Sequence, residues 1–261
     1  MSLSYHSGLN ILILGCGYTG RRVAERFLAQ GAHVTVSTRD PARLVVPGAA
    51  VIRTGDMPAH AQPGMLVLHS VPPEGPQDLL APWQGIATRV VYLSSTAVYG
   101  HHLVVDENTP ADASTGPGAE RLAVEQTVAA GPWSWLVLRP AAIYGPGRGA
   151  QEAFKRGTHS LSEQFVSRIH VDDLAAHVEA ALVSNLSGTW PVADEEPSTA
   201  LAVSEFCARL LHMPISGGPR DEAARAPRPP NNRRVDGSGV RRALGIRLEY
   251  PSYRTGIPAS L

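Results

Sequence analysis

Hydrophobic positions fall into short unbroken runs separated by stretches of helical periodicity. Ile11-Leu12-Ile13-Leu14 is the first run; a glycine turn follows, then a helical pattern from about Arg21 to Gln30 with Val23, Phe27 and Leu28 on one side and Gly31 as its stop. Val34-Thr35-Val36 reads as a second strand, and Asp40-Pro41 as a helix start, with Asp at the N-cap and Pro at the first helical position. Strand-like runs recur at Ala50 to Ile52, Met65 to Leu68, Arg89 to Leu93 and Trp135 to Leu138. Unbroken apolar strands alternating with helices predict a parallel sheet covered on both faces, a doubly wound α/β fold. Beyond Gly147 the alternation weakens. Helices are expected from Asp172 to Leu182 and from Ser204 to Leu211, a strand at Trp190-Pro191-Val192, and an irregular excursion from Ser216 to Asp236.

Composition narrows the classes of function. The chain has 261 residues, 43% of them hydrophobic, which is enough to bury a large core, and its 23 basic side chains balance 23 acidic ones. A formal charge of zero gives no electrostatic footprint for nucleic acid or an anionic membrane. No apolar run approaches the roughly 20 residues that span a bilayer. The stretch from Met1 to Asn10 lacks the charged and apolar regions of a secretory signal, and Cys16 and Cys207 are too few for a disulfide framework. A cytoplasmic location is therefore expected. The expected division is a dinucleotide-binding core over 8–195, with 148–168 contributing to the substrate cleft, and a small C-terminal substrate-binding portion over 196–261.

Gly15-Cys16-Gly17-Tyr18-Thr19-Gly20 is G-x-G-x-x-G placed directly between a strand and a helix. In that context Gly15 allows the tight turn, Gly17 lets backbone approach a diphosphate, and Gly20 permits close helix–strand packing. The helix N-terminus then presents unpaired N–H groups to the anion, the phosphate cradle of a Rossmann fold. An acidic residue at the end of the second strand would select NAD; Thr38 and Arg39 stand there instead and predict NADP, with NAD the alternative. Asp40 opposes that choice unless it serves as a helix cap.

Three further segments carry a resemblance. They are Tyr92-Leu93-Ser94-Ser95-Thr96-Ala97-Val98-Tyr99-Gly100, then Leu138-Arg139-Pro140-Ala141-Ala142-Ile143-Tyr144-Gly145-Pro146-Gly147, then Arg168-Ile169-His170-Val171-Asp172-Asp173-Leu174-Ala175. With the glycine turn they closely resemble the extended short-chain dehydrogenase/reductases, the NAD-dependent epimerase/dehydratase family, whose members act largely on nucleotide sugars. The resemblance implies that Ser95 hydrogen-bonds the reacting oxygen. It also implies that Gly55-Asp56 approaches the adenine, that Ser70-Val71-Pro72 lines the adenosine ribose, and that 139–147 passes the nicotinamide. A strand-end cap is the competing reading of Ser95. His170, Asp172 and Asp173 read as helix-start chemistry, with a ligand role the alternative.

The family's redox members carry Tyr-x-x-x-Lys about 25 residues after that serine, as the general acid/base and its cation. Alignment of the following helix places Pro117 at the tyrosine position and Arg121 at the lysine position, and the only lysine, Lys155, has Gln151 four residues before it. Arg121 is suited to holding ribose hydroxyls but not to giving a proton. Tyr99 and Tyr144 are candidate replacements or plain aromatic plugs, and His101, His102, Asp106 and Glu107 fit a solvated loop. The Arg233-Arg234 and Arg241-Arg242 pairs read as surface or as phosphate contacts. No metal motif and no Gly-x-Ser-x-Gly is present. Two functions remain: an NAD(P)-dependent oxidoreductase or nucleotide-sugar epimerase/dehydratase-like enzyme on a small carbonyl or hydroxyl substrate, or a catalytically silent NADP-binding sensor or scaffold. A homodimer is compatible with the Ala119 to Ala130 face.

Overall fold

The computed structural model describes residues 6–73, 79–114, 116–215 and 232–261. Most of the irregular excursion expected after Ser216 lies outside the described residues. Seven strands form one sheet: β1 (Asn10–Leu14), β2 (His33–Thr38), β3 (Ala50–Arg53), β4 (Met65–His69), β5 (Ala87–Leu93), β6 (Ser134–Pro140) and β7 (Gly188–Val192). All neighbours pair in parallel, in the order β7-β6-β5-β4-β1-β2-β3. This is the doubly wound Rossmann architecture. The strand order reverses between β1 and β4, and ligands of such sheets bind in the crevice beyond the carboxyl ends of those strands.

Strand β1 is apolar throughout because both its faces are covered; Ile11 to Leu14 are completely buried. On one face lie helices α1 (Tyr18–Ala29) and, later in the chain, the Val171–Val183 helix, contributing Val23, Phe27, Leu174, Val178 and Leu182 to a core shared with Ile11 and Ile13. On the other, Trp83, Trp133 and Val128 of helix α2 (Gly116–Ala130) close over Leu12, Leu14, Val67 and Tyr92. Buried side chains of this size each contribute roughly 1.5–3 kcal/mol. Pro191 is tolerated within β7 because β7 is an edge strand.

Helices α3 (Ala150–Lys155), α4 (Val171–Val183), α5 (Ala200–Leu211), α6 (Ser238–Leu244) and α7 (Tyr253–Gly256) complete the chain. Phe154, Val203, Cys207, Tyr253 and Ile257 gather around Tyr144 in a small core of their own. Helix α6 returns to the main sheet, where Val240 joins the core of α1 and α4. Three short pairings bind these segments to the sheet's carboxyl side: Arg168–His170 with Ala142–Tyr144, Ser198–Thr199 with Phe165–Val166, and Arg234–Val235 with Val104–Val105.

The predicted elements appear with shifted ends. Helix α1 starts at Tyr18, not Arg21, because the last half of the glycine motif is itself wound into the first turn. Asp40-Pro41 starts a single 3-10 turn (Pro41–Arg43) in which the Asp40 carboxylate accepts from Ala42 N–H at 3.2 Å. Helix α5 starts at Ala200, since Thr199 caps it by accepting from Ala202 N–H at 3.1 Å.

Candidate functional site

The glycine turn leaves the carboxyl end of β1 and is held from both sides. Gly15 and Cys16 donate their N–H groups to the Ser37 side-chain oxygen (3.3 Å) and carbonyl (3.1 Å), and Ser70 N–H donates to Leu14 O at 2.8 Å. Gly15 has φ +84°, and a Cβ there would stand 2.8 Å from Val71 Cγ2, so the turn lies flush against the loop after β4. A Cβ on Gly20 would meet Gly15 O at 2.7 Å. Gly17 is different: a Cβ there would meet nothing within 4 Å, and as the N-cap of α1 it supplies no side-chain acceptor. The first-turn N–H groups of α1 thus face open space that only the missing side chain keeps clear, which fits the diphosphate of a dinucleotide. Burial pushes the Cys16 thiol up to about 11, so it stays protonated beside the turn. The Tyr18 hydroxyl donates to Pro146 O at 3.0 Å, with the Arg22 and Arg148 guanidinium groups over its ring.

Thr38 and Arg39 follow β2 directly, and the Arg39 carbonyl accepts from Arg53 at 3.2 Å. The Asp40 carboxylate accepts from Ala42 N–H as the cap of its turn and pairs with Arg43 at 3.2 Å. Asp56 lies exposed in the first turn of the 3-10 helix Thr54–His60 after β3, and Ser70 is beside Gly15 at the crevice. Turn, β2 end, β3 end and β4 end therefore share one side of the sheet.

At the carboxyl end of β5, Ser94 N–H donates to Leu138 O at 2.8 Å and the chain turns into the 3-10 helix Thr96–Tyr99. Ser95 Oγ caps that turn, accepting from Ala97 N–H at 3.2 Å; the hydroxyl proton is not used by that bond. Arg121, on α2, donates to Leu93 O at 3.4 Å and lies beside the Tyr92 hydroxyl, which burial pushes up to about 12 despite that cation. Pro117 is in the first turns of α2, while Lys155 sits at the far end of α3 paired with Glu152 at 3.0 Å. The two replacement tyrosines are enclosed. Tyr99 is 1% exposed, and Tyr144, 2% exposed, donates its hydroxyl to Ser252 O at 3.1 Å. Burial raises both phenols, the opposite of what a proton donor at neutral pH requires.

Sequence reasoning missed the ion pair beneath this site. Glu125 of α2 accepts two hydrogen bonds from Arg139 of β6, at 3.1 and 2.7 Å, with both residues 5% exposed. The Arg139 guanidinium also lies 4.9 Å from the Tyr99 ring centre. The i, i+4 spacing of Arg121 and Glu125 places both on one helix face and was the available signal.

His170, Asp172 and Asp173 do helix-start and packing work. His170 Nδ1 accepts from Asp172 N–H at 3.3 Å while Nε2 meets Ser260 Oγ at 3.1 Å. Asp172 pairs with Arg22 at 2.9 Å, and Asp173 accepts from the Glu249 and Tyr250 N–H groups. On the loop after Tyr99, the Asp106 carboxylate accepts from Asn108 N–H and from the Thr109 hydroxyl, Glu107 reaches Arg242 at 3.5 Å, and His102 lies 4.0 Å from Asp112. Arg241 donates to Ala193 O at 2.7 Å. Among the described residues, no three His, Cys, Asp or Glu side chains converge as a metal site would require, and no helix is long and apolar enough to cross a membrane.

Asp194, just beyond β7, is almost wholly buried with Oδ2 unpartnered, and burial raises its carboxyl to about 8. The folded chain therefore holds a proton that the unfolded chain releases near its ordinary value of 3.8, and stability falls as pH rises through that window. His177, lowered to about 4 by burial, acts oppositely but only below its ordinary value of 6.5. Between pH 6.5 and 8 the Asp194 slope stands apart. Denaturant unfolding should show a loss of about 2 kcal/mol across that interval, absent in Asp194→Asn.

Residues 74–192 match the model of the NAD dependent epimerase/dehydratase family. A structure of a functionally unknown conserved protein from Silicibacter pomeroyi is similar over 96% of this chain and 97% of its own, at 30% identity and a TM-score of 0.80. The chain belongs to the NAD-dependent epimerase/dehydratase family. Another structure, from Methylobacillus flagellatus and provisionally named an NAD-dependent epimerase/dehydratase, aligns at 25% identity over 97% of this chain and 98% of its own, with a TM-score of 0.78. A Streptomyces sp. protein named 3-diazoavenalumate denitrifying reductase is 31% identical over 174 residues, which are 59% of this chain and 56% of that protein. The chain thus matches little more than half the length of this curated relative. For this epimerase/dehydratase family member, the cradle at Gly15 to Gly20 and the family's NAD dependence agree on a nicotinamide dinucleotide as cofactor.

Proposed function

We propose that this protein is an NADP-dependent oxidoreductase or epimerase-like enzyme acting on a small carbonyl or hydroxyl compound. The observation that carries the reading is the open turn at Gly17 beyond β1 together with a serine hydroxyl beyond β5, both at carboxyl ends of one parallel sheet. Residues 8–195 hold the cofactor, and the segments over 148–168 and 196–261 shape the substrate side. When bound, the nicotinamide supplies or accepts a hydride.

The chain's own residues do the rest. First-turn amides of α1 bind the diphosphate, Thr38 and Arg39 receive the 2′-phosphate, and Asp56 and Ser70 flank the adenosine. Arg121 binds the nicotinamide ribose as a permanent cation. Ser95 accepts from Ala97 N–H and donates its own proton to the reacting oxygen. Water relayed through Ser95 is the proton source this site favours, since the Tyr144 proton is engaged by Ser252 O and burial holds the Tyr99 phenol protonated.

Pro117 at the usual proton-donor position favours the second reading, a dinucleotide sensor without turnover. Titration with NADPH and NADH, followed by assay against carbonyl compounds and nucleotide sugars, separates them. The enzyme reading expects Ser95→Ala to keep cofactor affinity while turnover falls about 100-fold or more. Arg39→Ala should weaken NADPH binding roughly tenfold and leave NADH unchanged. Tight binding with no turnover on any compound would favour the sensor, and tighter NADH than NADPH binding would overturn the cofactor choice.

A further inference from the structure

Arg233 has no part in the chemistry above, yet it grips the loop that carries Ser95. Its backbone is fixed between two walls: Arg233 N–H donates to Phe165 O at 3.1 Å, and the next residue, Arg234, donates to Leu103 O at 2.8 Å. From there the guanidinium donates through Nε to His102 O (2.8 Å), through Nη1 to Thr96 O (2.5 Å) and through Nη2 to Gly100 O (2.6 Å). Thr96 is the residue next to Ser95. All three acceptors are neutral carbonyls.

Among the described residues its charge meets no counterion. The guanidinium is half-buried, burial lowers its pKa, and among the described residues no carboxylate lies within 4.0 Å of it. Arg139, Arg241, Arg242 and Arg254 each meet a carboxylate, of Glu125, Glu195, Glu107 and Glu196, whereas the buried Arg89 and Arg168, like Arg233, donate to backbone carbonyls with no ion pair among the described residues. A guanidinium carries five N–H donors, so two remain after the three carbonyls are served. Arg233 also lines a small cleft together with Thr96, Ala142, Phe165, Ser167 and Val235. A partly desolvated cation at a cleft wall, with no carboxylate partner among the described residues and donors to spare, is stabilised most by an anion that enters the cleft.

We infer that Arg233 reads an anionic group, carboxylate or phosphate, carried by the substrate close to its reacting carbon. The inference rests on the reading that the cleft beside Ser95 receives the substrate. It narrows the substrate class to carbonyl or hydroxyl compounds bearing a nearby negative charge. It also makes Arg233 a sensor that couples this charge to the position of the Ser95 loop, because one guanidinium holds both.

The test is direct anion binding to the full-length protein by isothermal titration. Malonate and inorganic phosphate serve as probes, and neutral malonamide is the control. The titrations are repeated in Gly17→Asp, in which the glycine turn no longer receives phosphate. Binding of at least one anion should persist in Gly17→Asp and weaken about tenfold or more in Arg233→Met. Arg234→Met, whose exposed guanidinium lies over the Phe165 ring, should stay within about twofold of wild type. Malonate alone binding points to a carboxylate substrate, and phosphate alone to a phosphorylated one.

If Arg233→Met does not fold, Arg233→Lys takes its place, keeping the charge but not the planar fork, and an intermediate weakening is expected. Equal affinity in wild type and the Arg233 variant, loss of all anion binding in Gly17→Asp, or no binding of either anion to wild type would each overturn the inference. An NADPH titration on the same wild-type protein reads the cofactor proposal separately, so the two can fail independently.

Discussion

Gly17→Asp should fold as well as the wild type and bind no dinucleotide. The position is extended backbone, φ −87°, with space around the absent Cβ, so the new side chain meets no neighbour. Asp is also a favoured N-cap, and its carboxylate accepts from first-turn N–H groups that Gly17 leaves free, which adds a few tenths of a kcal/mol of stability. Those same N–H groups are the ones assigned to the diphosphate. A carboxylate placed there both occupies the donors and repels the ligand, so NADPH affinity should fall at least about 100-fold, a difference of about 2.7 kcal/mol. Thermal melts and a fluorescence titration read the two effects separately. Gly20→Ala should do the reverse in stability: its Cβ would press on Gly15 O at 2.7 Å, costing about 1–3 kcal/mol. Unaltered NADPH affinity in Gly17→Asp would place the cofactor elsewhere and remove the basis of both functional readings.

Glu125→Ala should destabilise the fold by about 3–5 kcal/mol, the largest loss expected from a single truncation away from the apolar core. The reason is not that the Glu125–Arg139 pair is strongly favourable in net terms. Removing one partner leaves the Arg139 guanidinium buried on β6 with no counterion and two unmet hydrogen bonds. The loss should be largely recovered in Glu125→Leu combined with Arg139→Met, which fills the space without charge. Chemical denaturation of the two single variants and the double variant checks this; a single-variant loss under about 1 kcal/mol would show that water reaches the pair. Because Arg139 also lies over Tyr99, the single variants should loosen the turn that carries Ser95 and lower turnover more than cofactor binding.

The strands, the glycine turn and helix α4 were legible in the sequence because each rests on local rules. An apolar run such as Ile11 to Leu14 is a strand buried on both faces whatever surrounds it, and glycine spacing is dictated by backbone contacts within a few residues. Helix starts were less legible. Thr199 is an ordinary capping residue, but choosing it over Ser204 requires knowing that the chain there leaves the short pairing with Phe165–Val166. That Asp40 caps a single turn rather than a full helix was likewise visible only from its contacts with Ala42 and Arg43.

The order of apolar runs and the placement of Gly15, Gly17 and Gly20 by themselves determined a doubly wound sheet with an open glycine turn at the head of α1, because periodicity and backbone sterics act over short stretches of chain. Tertiary structure alone decided which charges are paired and which are not. Glu125 meets Arg139 on a neighbouring strand, Asp194 is sealed away from water, and Arg233 spends three donors on carbonyls more than 130 residues away. Desolvation and counterions depend on what the fold brings near a group, and no stretch of sequence around that group contains them.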